Sequence, residues 1–414
     1  MSEVPAPASQ VDVGYLLSPQ AVRAQAHAML ALGQEGALEN FTVDWTRLDS
    51  IVDRVLATMR AHHPDLSRIP PHSRWRHFDV GGVDRLAQLE ARLGDANAAE
   101  ALRARFDLVV TSVLLDAGAG PTWRFREPDT GLSFGRSEGL AIASFHMFMA
   151  GGFSSAPGER PLRADAAGLA AVSEAALAGF FQVDADNPMV GLSGRVALLQ
   201  RLGQVLAAQD PAQITGGEPA RVGRIADRLR PLAVAGQGQL PAPEILAAVL
   251  TDLGPIWPGR QTVAGVNLGD TWLHPRLGLV PLHKLSQWLT YSMIEPLEAA
   301  GIAVVDLDAL TGLAEYRNGG LFLDGGLIVA KDPALLTTSH AVGSTAVVEW
   351  RSLTVALIDR VAQELRQRLG LDAVALPLAK VLEGGTWRAG REIAAELRAD
   401  AGPPLRVQSD GTVF

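Results

Sequence analysis

The feature that most constrains the fold is a recurring spacing of apolar residues at three and four positions, which is the period of an amphipathic α-helix. In residues 44–62 this spacing follows an Asp at the N-cap position and places five apolar side chains on one face: Leu48, Ile51, Val52, Val55 and Met59. Further segments with this pattern are residues 19–32, 97–116, 137–149, 281–300 and 344–369. The sequence therefore predicts a mainly α-helical protein.

A few short β-hairpins are expected between these helices. One is predicted near residues 123–134, around the turn sequence PDTG. A second is predicted near residues 321–329, where Asp324-Gly325 separates two apolar runs, and a third at the C-terminal Asp410-Gly411. Turn signals concentrate in residues 210–244. We therefore expect two helical regions, 1–210 and 211–414, that form one unit around a shared cleft.

Composition limits the class of partner. A hydrophobic content of 48% in 414 residues supports a large core, and a net charge of −9 argues against binding to nucleic acid, which needs a concentrated basic surface. The chain has no cysteine, and no apolar run approaches the roughly 18 residues that a membrane span requires. These features predict a cytoplasmic protein with no nucleic-acid or membrane partner. They leave its oligomeric state open.

The polar residues that stand out most occur in residues 310–332, LTGLAEYRNGGLFLDGGLIVAKD. A helical pattern reaches the EYRN segment (Glu315, Tyr316, Arg317 and Asn318) and meets a glycine pair, which is a helix stop signal. We therefore expect a helix C-terminus that presents a carboxylate, a phenol and a guanidinium. The alternative is that Arg317 only caps this helix and Asp324 only forms a turn.

A second polar segment, residues 69–85 (IPPHSRWRHFDVGGVDR), follows a Pro-Pro pair that excludes a helix at that point. Its candidate binding residues are Arg74, Trp75, Arg76 and His77. His72, His77 and Asp79 also provide donor types found in metal sites, but no helical i, i+4 spacing supports a metal. Two isolated candidates lie further along the chain. Glu138 is alternatively a first-turn helix residue, and His146 a hydrogen-bonded core residue.

Several enzyme motifs are missing from the sequence. No dinucleotide-binding GxGxxG, no GxxxxGK[ST], no HExxH and no GxSxG occurs. Residues 302–312 (IAVVDLDALTG) superficially resemble the loop with which phosphoribosyltransferases bind phosphoribosyl pyrophosphate. However, Leu307 separates the two acids, and Leu313-Ala314 replace the small residues that cradle phosphate. The match of this segment to a phosphate-binding loop is therefore weak.

Four longer motifs resemble one known family: SRWRHFDVGGVDR, SEGLAIASFHMF, EYRNGGLFLDGGL and EWRSLTVALID. They are similar to the uracil-catabolism proteins known in fungi as the Urc-four or Urg-three type, over nearly the whole chain. The resemblance implies a part in a route in which uracil passes through a ribosylated intermediate and leaves as urea. It does not specify the reaction.

A more distant likeness is to the queuosine-salvage nucleotide N-glycosylases, which are helical and similar to DNA glycosylases in fold. Their order of motifs matches Leu115-Asp116-Ala117 with Trp123, then Glu315-Tyr316-Arg317, then Glu349-Trp350-Arg351. The sequence departs from their pattern at Glu315 and in the glycine-rich residues after it. The likeness implies a DNA-glycosylase-like architecture and hydrolysis of an N-glycosidic bond.

The residue types suit this chemistry, because an oxocarbenium-like transition state needs a carboxylate beside the anomeric carbon and another to activate water. Asp116, Glu315 and Asp324 are the candidate catalytic residues. The substrate-binding candidates are arginines for a phosphate, aromatic rings for a planar group and other polar residues: Arg74, Trp75, Arg76, His77, Trp123, Glu138, His146, Tyr316, Arg317, Glu349, Trp350 and Arg351.

The sequence thus predicts an N-glycoside hydrolase that takes a small ribosylated substrate, ribosylurea or its 5′-phosphate. The alternatives are a uracil phosphoribosyltransferase-like enzyme and a non-catalytic binding or scaffold protein of the same pathway. We expect no cofactor and no metal, since a divalent cation would oppose the positive charge that develops on the sugar.

Overall fold

Side-chain caps define where three of the longer helices begin. Ser18, Asn97 and Ser344 each accept a hydrogen bond from a backbone N–H of the first turn, which satisfies a donor that has no partner within the helix. The structure is a computed structural model that describes residues 12–116, 118–208 and 220–408. Within these ranges helices dominate, and the predicted mainly α-helical class is confirmed.

The helices are α1 (Val13–Leu16), α2 (Pro19–Gln34), α3 (Leu48–His62), α4 (Trp75–Phe78), α5 (Arg85–Leu93), α6 (Ala98–Leu114), α7 (Arg136–Met149), α8 (Ala166–Ala170), α9 (Glu174–Phe180), α10 (Leu192–Ala207), α11 (Ile225–Ala235), α12 (Ala242–Leu253), α13 (Lys284–Ala299), α14 (Tyr316–Asp324), α15 (Thr345–Leu369), α16 (Leu378–Val381) and α17 (Trp387–Leu397). A π-helical turn, Leu382–Thr386, joins α16 to α17.

The strands are short: β1 (Phe41–Val43), β2 (Phe125–Arg126), β3 (Ser133–Phe134), β4 (Gln239–Pro241), β5 (Thr262–Val263), β6 (Val266–Asn267), β7 (Thr271–His274), β8 (Gly278–Pro281), β9 (Ala303–Val305), β10 (Ile328–Ala330), β11 (Ser339–Ala341) and β12 (Arg406–Gln408). They pair only in twos. β2–β3, β5–β6 and β7–β8 are antiparallel neighbours, β1–β10 is antiparallel, and β4–β9 and β11–β12 are parallel.

The hairpin predicted near residues 123–134 is confirmed by β2 and β3. The hairpin predicted near 321–329 is wrong. Asp324 is the last residue of α14 and Gly325 its C-cap, and β10 pairs with β1 far away in the chain. The C-terminal Asp-Gly turn and the start of the 210–244 boundary fall outside the described residues.

The helix end predicted at the EYRN segment is also wrong, because the segment begins a helix. Glu315 is the N-cap of α14, and the glycine pair lies inside that helix. These glycines serve close packing instead: a Cβ at Gly319 would lie 2.7 Å from the Trp350 ring of α15. On its other side, α14 lies against α17, where a Cβ at Gly390 would clash with the carbonyl of Arg317. Helix α14 is thereby held between α15 and α17.

A hydrophobic core continues through both halves of the described chain, from α2 and α3 to α15 and α17. No helix in ranges 12–116, 118–208 and 220–408 combines the length and the apolar character needed to cross a bilayer.

Candidate active site

A cavity of about 380 Å³ lies where the EYRN segment meets the polar residues around position 77. Residues from both predicted regions line it: His72, His77, Asp116, Gly118, Ala119, Gly120, Pro121, Arg136, Ser137, Lys284, Trp288, Leu313, Glu315, Tyr316, Arg317, Trp387, Asp400, Ala401, Gly402 and Pro403. A concave site with a few convergent charged groups is the usual form of a small-molecule site.

Glu315 presents a rigid carboxylate to this cavity. Its two oxygens accept hydrogen bonds from the backbone N–H groups of Arg317 (2.7 Å) and Asn318 (2.5 Å), at the N-terminus of α14. Burial raises the pKa of Glu315, although Lys284 and the two N–H donors oppose this effect. The structure therefore places the carboxylate of this predicted catalytic residue in the cavity. Glu315 is held there as the N-cap of α14, and not at a helix C-terminus as predicted.

Among the cations that line the cavity, Lys284 has the surroundings that most resemble those of a reactive amine. It is the first residue of α13, only 8% of its surface is exposed, and its Nζ lies 5.5 Å from the centroid of the Trp288 ring. Burial lowers the pKa of its ammonium group, while Glu315 and then Asp116 oppose that shift by their charge. The two carboxylates thus interact electrostatically with a single amine.

Asp116 supplies the second carboxylate. Oδ2 accepts a hydrogen bond from the Ser137 hydroxyl at 3.1 Å, and Oδ1 lies 3.2 Å from Nη1 of the fully buried Arg74. The Arg74 contact is an ion pair without hydrogen-bond geometry, and within residues 12–116, 118–208 and 220–408 the buried Oδ1 accepts no hydrogen bond. A buried carboxylate oxygen normally accepts a hydrogen bond, so this atom can accept one from a bound molecule. Asp116 can therefore accept a proton from a bound molecule.

His77 is a neutral imidazole with a defined tautomer. Its Nδ1 lies 3.2 Å from Nη1 of Arg74, and a guanidinium can only donate. Nδ1 is therefore the acceptor, and Nε2 carries the hydrogen. Burial and then the Arg74 charge lower the pKa of His77 to about 4, so that the ring is uncharged at neutral pH.

An aromatic wall forms the other side of the cavity. His72 stacks on Trp288 with centroids 6.3 Å apart, and Trp387 lies 5.9 Å from His72 and 6.1 Å from His77. The π-helical turn before α17 places Glu383 at 2.7 Å from Nδ1 of His72. The indole N–H of Trp288 is buried and has no acceptor in the part of the chain that the structure describes. This wall suits a planar group with a carbonyl oxygen.

Two arginines of the cavity lining form hydrogen bonds to the loop of residues 400–403. Arg317 donates to the carbonyl of Ala401 at 2.7 Å, and Arg136 donates to the carbonyl of Asp400 at 2.8 Å. The Arg317 guanidinium also lies over the Tyr316 ring, 4.7 Å from its centroid. Residues 400–403 thus line the cavity next to two cations and a phenol, and Tyr316 and Arg317, two of the predicted substrate-binding residues, also line it.

Arg351 supports the site from behind. It binds Asp270 through two hydrogen bonds of 2.8 Å, and its Nε donates to the carbonyl of Ala314, next to Glu315. Burial would raise the pKa of Asp270, but the Arg351 charge outweighs it, and the pKa falls to about 2. Asp270 Oδ2 also accepts from the backbone N–H of Lys284. The Arg351–Asp270 pair therefore holds the backbone next to Glu315 and at Lys284, although neither residue of the pair lines the cavity.

The predicted tryptophans do not form the aromatic wall. Trp75, Trp123 and Trp350 are buried outside the cavity, and each donates its indole N–H to a backbone carbonyl, of Ser292, Phe181 and Gly319 respectively. They are core residues with satisfied polar atoms.

The remaining candidates are held in ion pairs or hydrogen bonds outside the cavity lining. Asp324 makes two hydrogen bonds to Arg398, and Arg76 pairs with Glu295. His146 lies 2.9 Å from Glu127, and Glu138 pairs with Arg391 at 2.5 Å. Glu349 accepts from the backbone N–H groups of Glu39 and Asn40 and borders a different cavity. Of these, Glu138 is closest to the site, since its charge acts on His77.

Neither a metal nor a phosphoribosyl loop finds support in the geometry. The described ranges hold no group of three or more His, Cys, Asp or Glu side chains placed for a metal ion. In the 302–312 segment, Asp308 binds Arg366 and the backbone N–H of Leu378. Its carboxylate is committed to these structural contacts, outside the cavity lining.

Many residues of the cavity lining were not among those predicted from the sequence. Lys284 and Trp288 lie four residues apart on one face of a predicted helix, and that pairing of an amine with an indole was the signal available. Trp387, Arg136 and residues 400–403 had no distinctive local pattern, because they reach the cavity only through long-range packing.

The sequence was compared with known proteins. It is 38% identical over 413 residues to Protein urg3 of Schizosaccharomyces pombe, which covers 98% of this chain and 100% of that protein. It is 35% identical over 416 residues to Uracil catabolism protein 4 of Lachancea kluyveri, which covers 92% and 93%. The resemblance to the fungal proteins is confirmed. A family model described as "Protein of unknown function (DUF1688)" matches residues 15–414, and the chain belongs to that family.

Proposed function

We propose that this protein acts in uracil catabolism as an N-glycoside hydrolase on a ribosylated intermediate, ribosylurea or its 5′-phosphate, and releases urea and a sugar. The pathway is taken from the name of the Lachancea kluyveri relative. The observation that carries the reaction is that the carboxylates of Asp116 and Glu315 border one cavity that also has an aromatic wall.

The two carboxylates differ in a way that fits two roles. Both oxygens of Glu315 are held by backbone N–H groups, so this carboxylate is positioned to stabilise positive charge on the anomeric carbon. One oxygen of Asp116 accepts no hydrogen bond from any described residue, so it can accept a proton from an attacking nucleophile.

The leaving group and the sugar have matching surroundings. Urea is planar, and its carbonyl oxygen can accept a hydrogen bond from the indole N–H of Trp288, for which the described residues offer no acceptor. The Nε2–H of His77 supplies a second donor from the same wall. Arg136 and Arg317 line the same cavity and can bind a 5′-phosphate, since arginine favours such anions. Of the arginines predicted for this contact, only Arg317 lines the cavity.

The test is a direct assay of the purified protein with ribosylurea, ribosylurea 5′-phosphate, uridine and uridine 5′-monophosphate, measuring urea and free uracil. We expect urea from one of the ureides and no uracil from the nucleosides. Absence of urea from both ureides would overturn the proposal. Ligand binding without turnover would then favour a binding protein, and consumption of uracil with phosphoribosyl pyrophosphate would favour a transferase.

A further inference from the structure

Lysine is rare in this chain. Among 36 basic residues, only Lys284, Lys331 and Lys380 are lysines. Lys331 donates to the backbone carbonyls of Gly36 and Leu38, and Lys380 donates to that of Ser67. Those two ammonium groups therefore have structural partners at the surface. Lys284 is the one that lines the cavity.

The surroundings of Lys284 differ from those of an ordinary buried cation. In the part of the chain that the structure describes, no carboxylate oxygen lies within 4 Å of its Nζ, although Glu315 and Asp116 act on it by charge. Its Nζ lies over the Trp288 ring, 5.5 Å from the centroid, and its backbone N–H donates to Asp270. The amine is thus placed in the cavity near two carboxylates that act on it by charge, without a direct ion pair to either of them.

A permanent cation would be unfavourable at this place. The proposed reaction develops positive charge on the sugar, and a guanidinium next to the anomeric carbon would oppose that charge. Lysine differs from arginine because it can lose its proton, and burial already lowers the pKa of Lys284. A neutral amine carries no opposing charge and is a nucleophile for a carbonyl-level carbon.

We propose that Lys284 is the nucleophile of this site and forms a Schiff base with the anomeric carbon of the ribosylated substrate. This inference rests on the proposed function and makes it a covalent reaction. It also assigns the cavity a substrate class, sugars that carry a nitrogen substituent at the anomeric carbon and can open their ring.

The steps balance without an oxidant or reductant. The Nζ lone pair forms a bond to the anomeric carbon, the bond from that carbon to the urea nitrogen breaks, and urea leaves with a proton. Asp116 takes the proton that the amine loses and transfers it to the leaving nitrogen. The ring oxygen takes a proton from solvent as its bond to the anomeric carbon breaks, which opens the sugar ring and leaves a protonated Schiff base. Water then adds to this carbon, the bond from the carbon to Nζ breaks, and a proton returns to solvent. These steps release the sugar as an aldehyde and restore the neutral amine.

An alternative use of Lys284 is to bind a phosphate as a simple cation. The geometry favours the covalent role, because Arg136 and Arg317 already provide guanidinium groups at the cavity, next to residues 400–403. The two roles differ in outcome. Arginine at position 284 keeps the charge and would preserve phosphate binding, but it cannot form a Schiff base.

The experiment is reductive trapping on the whole protein. Wild type is incubated with ribosylurea or its 5′-phosphate in the presence of sodium cyanoborohydride, and the modified peptide is identified by mass spectrometry. We expect one reduced sugar per chain, at Lys284, and a parallel loss of activity. Lys284→Arg and Lys284→Met should release urea at least about a hundredfold more slowly, whereas Lys331→Arg and Lys380→Arg should match wild type.

The outcomes separate this inference from the proposed function. If urea is released but no adduct forms, or if Lys284→Arg keeps full activity, Lys284 is not the nucleophile and the hydrolase proposal stands. Equal labelling of Lys331 and Lys380 would indicate nonspecific reaction with free sugar and would also overturn the inference. If no urea is released by wild type, both proposals fail. Trapping on wild type keeps the test valid even where a Lys284 variant folds poorly.

Discussion

Replacing Glu315 with glutamine tests whether its carboxylate takes part in the chemistry or only caps α14. The change keeps the shape of the side chain and removes its charge. In the wild type, both oxygens accept backbone N–H groups. In the variant, the carbonyl oxygen can keep one of these bonds, while the amide nitrogen meets the other N–H and cannot accept it.

Two opposing effects determine how the free energy of unfolding changes in Glu315→Gln. Losing one buried hydrogen bond to a charged acceptor costs about 1.5–3 kcal/mol. However, burial raises the folded-state pKa of Glu315 above its unfolded value, so stability is lost as the pH rises through that folded-state pKa, and an uncharged amide avoids this loss. The net destabilisation at pH 7 is expected to be about 1 kcal/mol, within the range for a helix N-cap.

The expected effect on activity is much larger. If the carboxylate stabilises charge on the anomeric carbon, its loss should lower the rate of urea release by roughly a hundredfold or more, which corresponds to about 2.7 kcal/mol in the activation free energy. Both quantities are measured on the same samples, stability by chemical denaturation and activity by urea release at saturating substrate.

The chain offers a matched control in Asp165. This residue is also a buried helix N-cap whose two oxygens accept backbone N–H groups, from Gly168 at 3.0 Å and Ser155 at 2.9 Å, but it does not line the cavity. Asp165→Asn should therefore lose a similar amount of stability and keep its turnover. If Glu315→Gln behaves like this control, with lower stability and normal specific activity, Glu315 is a structural cap and the assignment is wrong.

Four further predictions concern individual side chains. Asp116→Asn should slow urea release about a hundredfold, and normal turnover in this variant would remove Asp116 from the mechanism. Asp324→Asn should lower the melting temperature through the loss of its Arg398 pair and leave turnover unchanged, as thermal and activity assays will show. The folded-state pKa of His77, about 4, lies below the unfolded value of 6.5, so stability is lost as the pH falls between these values; denaturation at pH 7 and pH 5 should show a smaller loss in His77→Asn. Trp288→Phe removes the unpaired indole N–H and should raise KM more than it lowers kcat, whereas an unchanged KM would exclude a substrate contact.

The sequence by itself determined the class of the fold and many of its helices. Apolar spacing and capping residues act within a few positions, and α6 and α15 begin directly after the predicted caps Asn97 and Ser344. The cap predicted for α3 is wrong, because Asp44 caps a short 3-10 turn (Trp45–Arg47) and α3 begins at Leu48. The hairpin at β2 and β3 followed from local turn chemistry in the same way. The sequence also indicated Asp116 and the EYRN segment, because charged groups among apolar residues are conspicuous.

The tertiary structure decided the direction of the EYRN helix and the membership of the cavity. The glycine pair of α14 has the local signature of a helix stop, yet the helix continues, because glycine allows it to lie closely against α15. Packing free energy between distant segments outweighed the intrinsic preference of two residues. The same long-range packing brought Lys284 and Trp387 to Glu315. No local pattern specifies such a convergence, because a cavity is bounded by residues that are far apart in sequence.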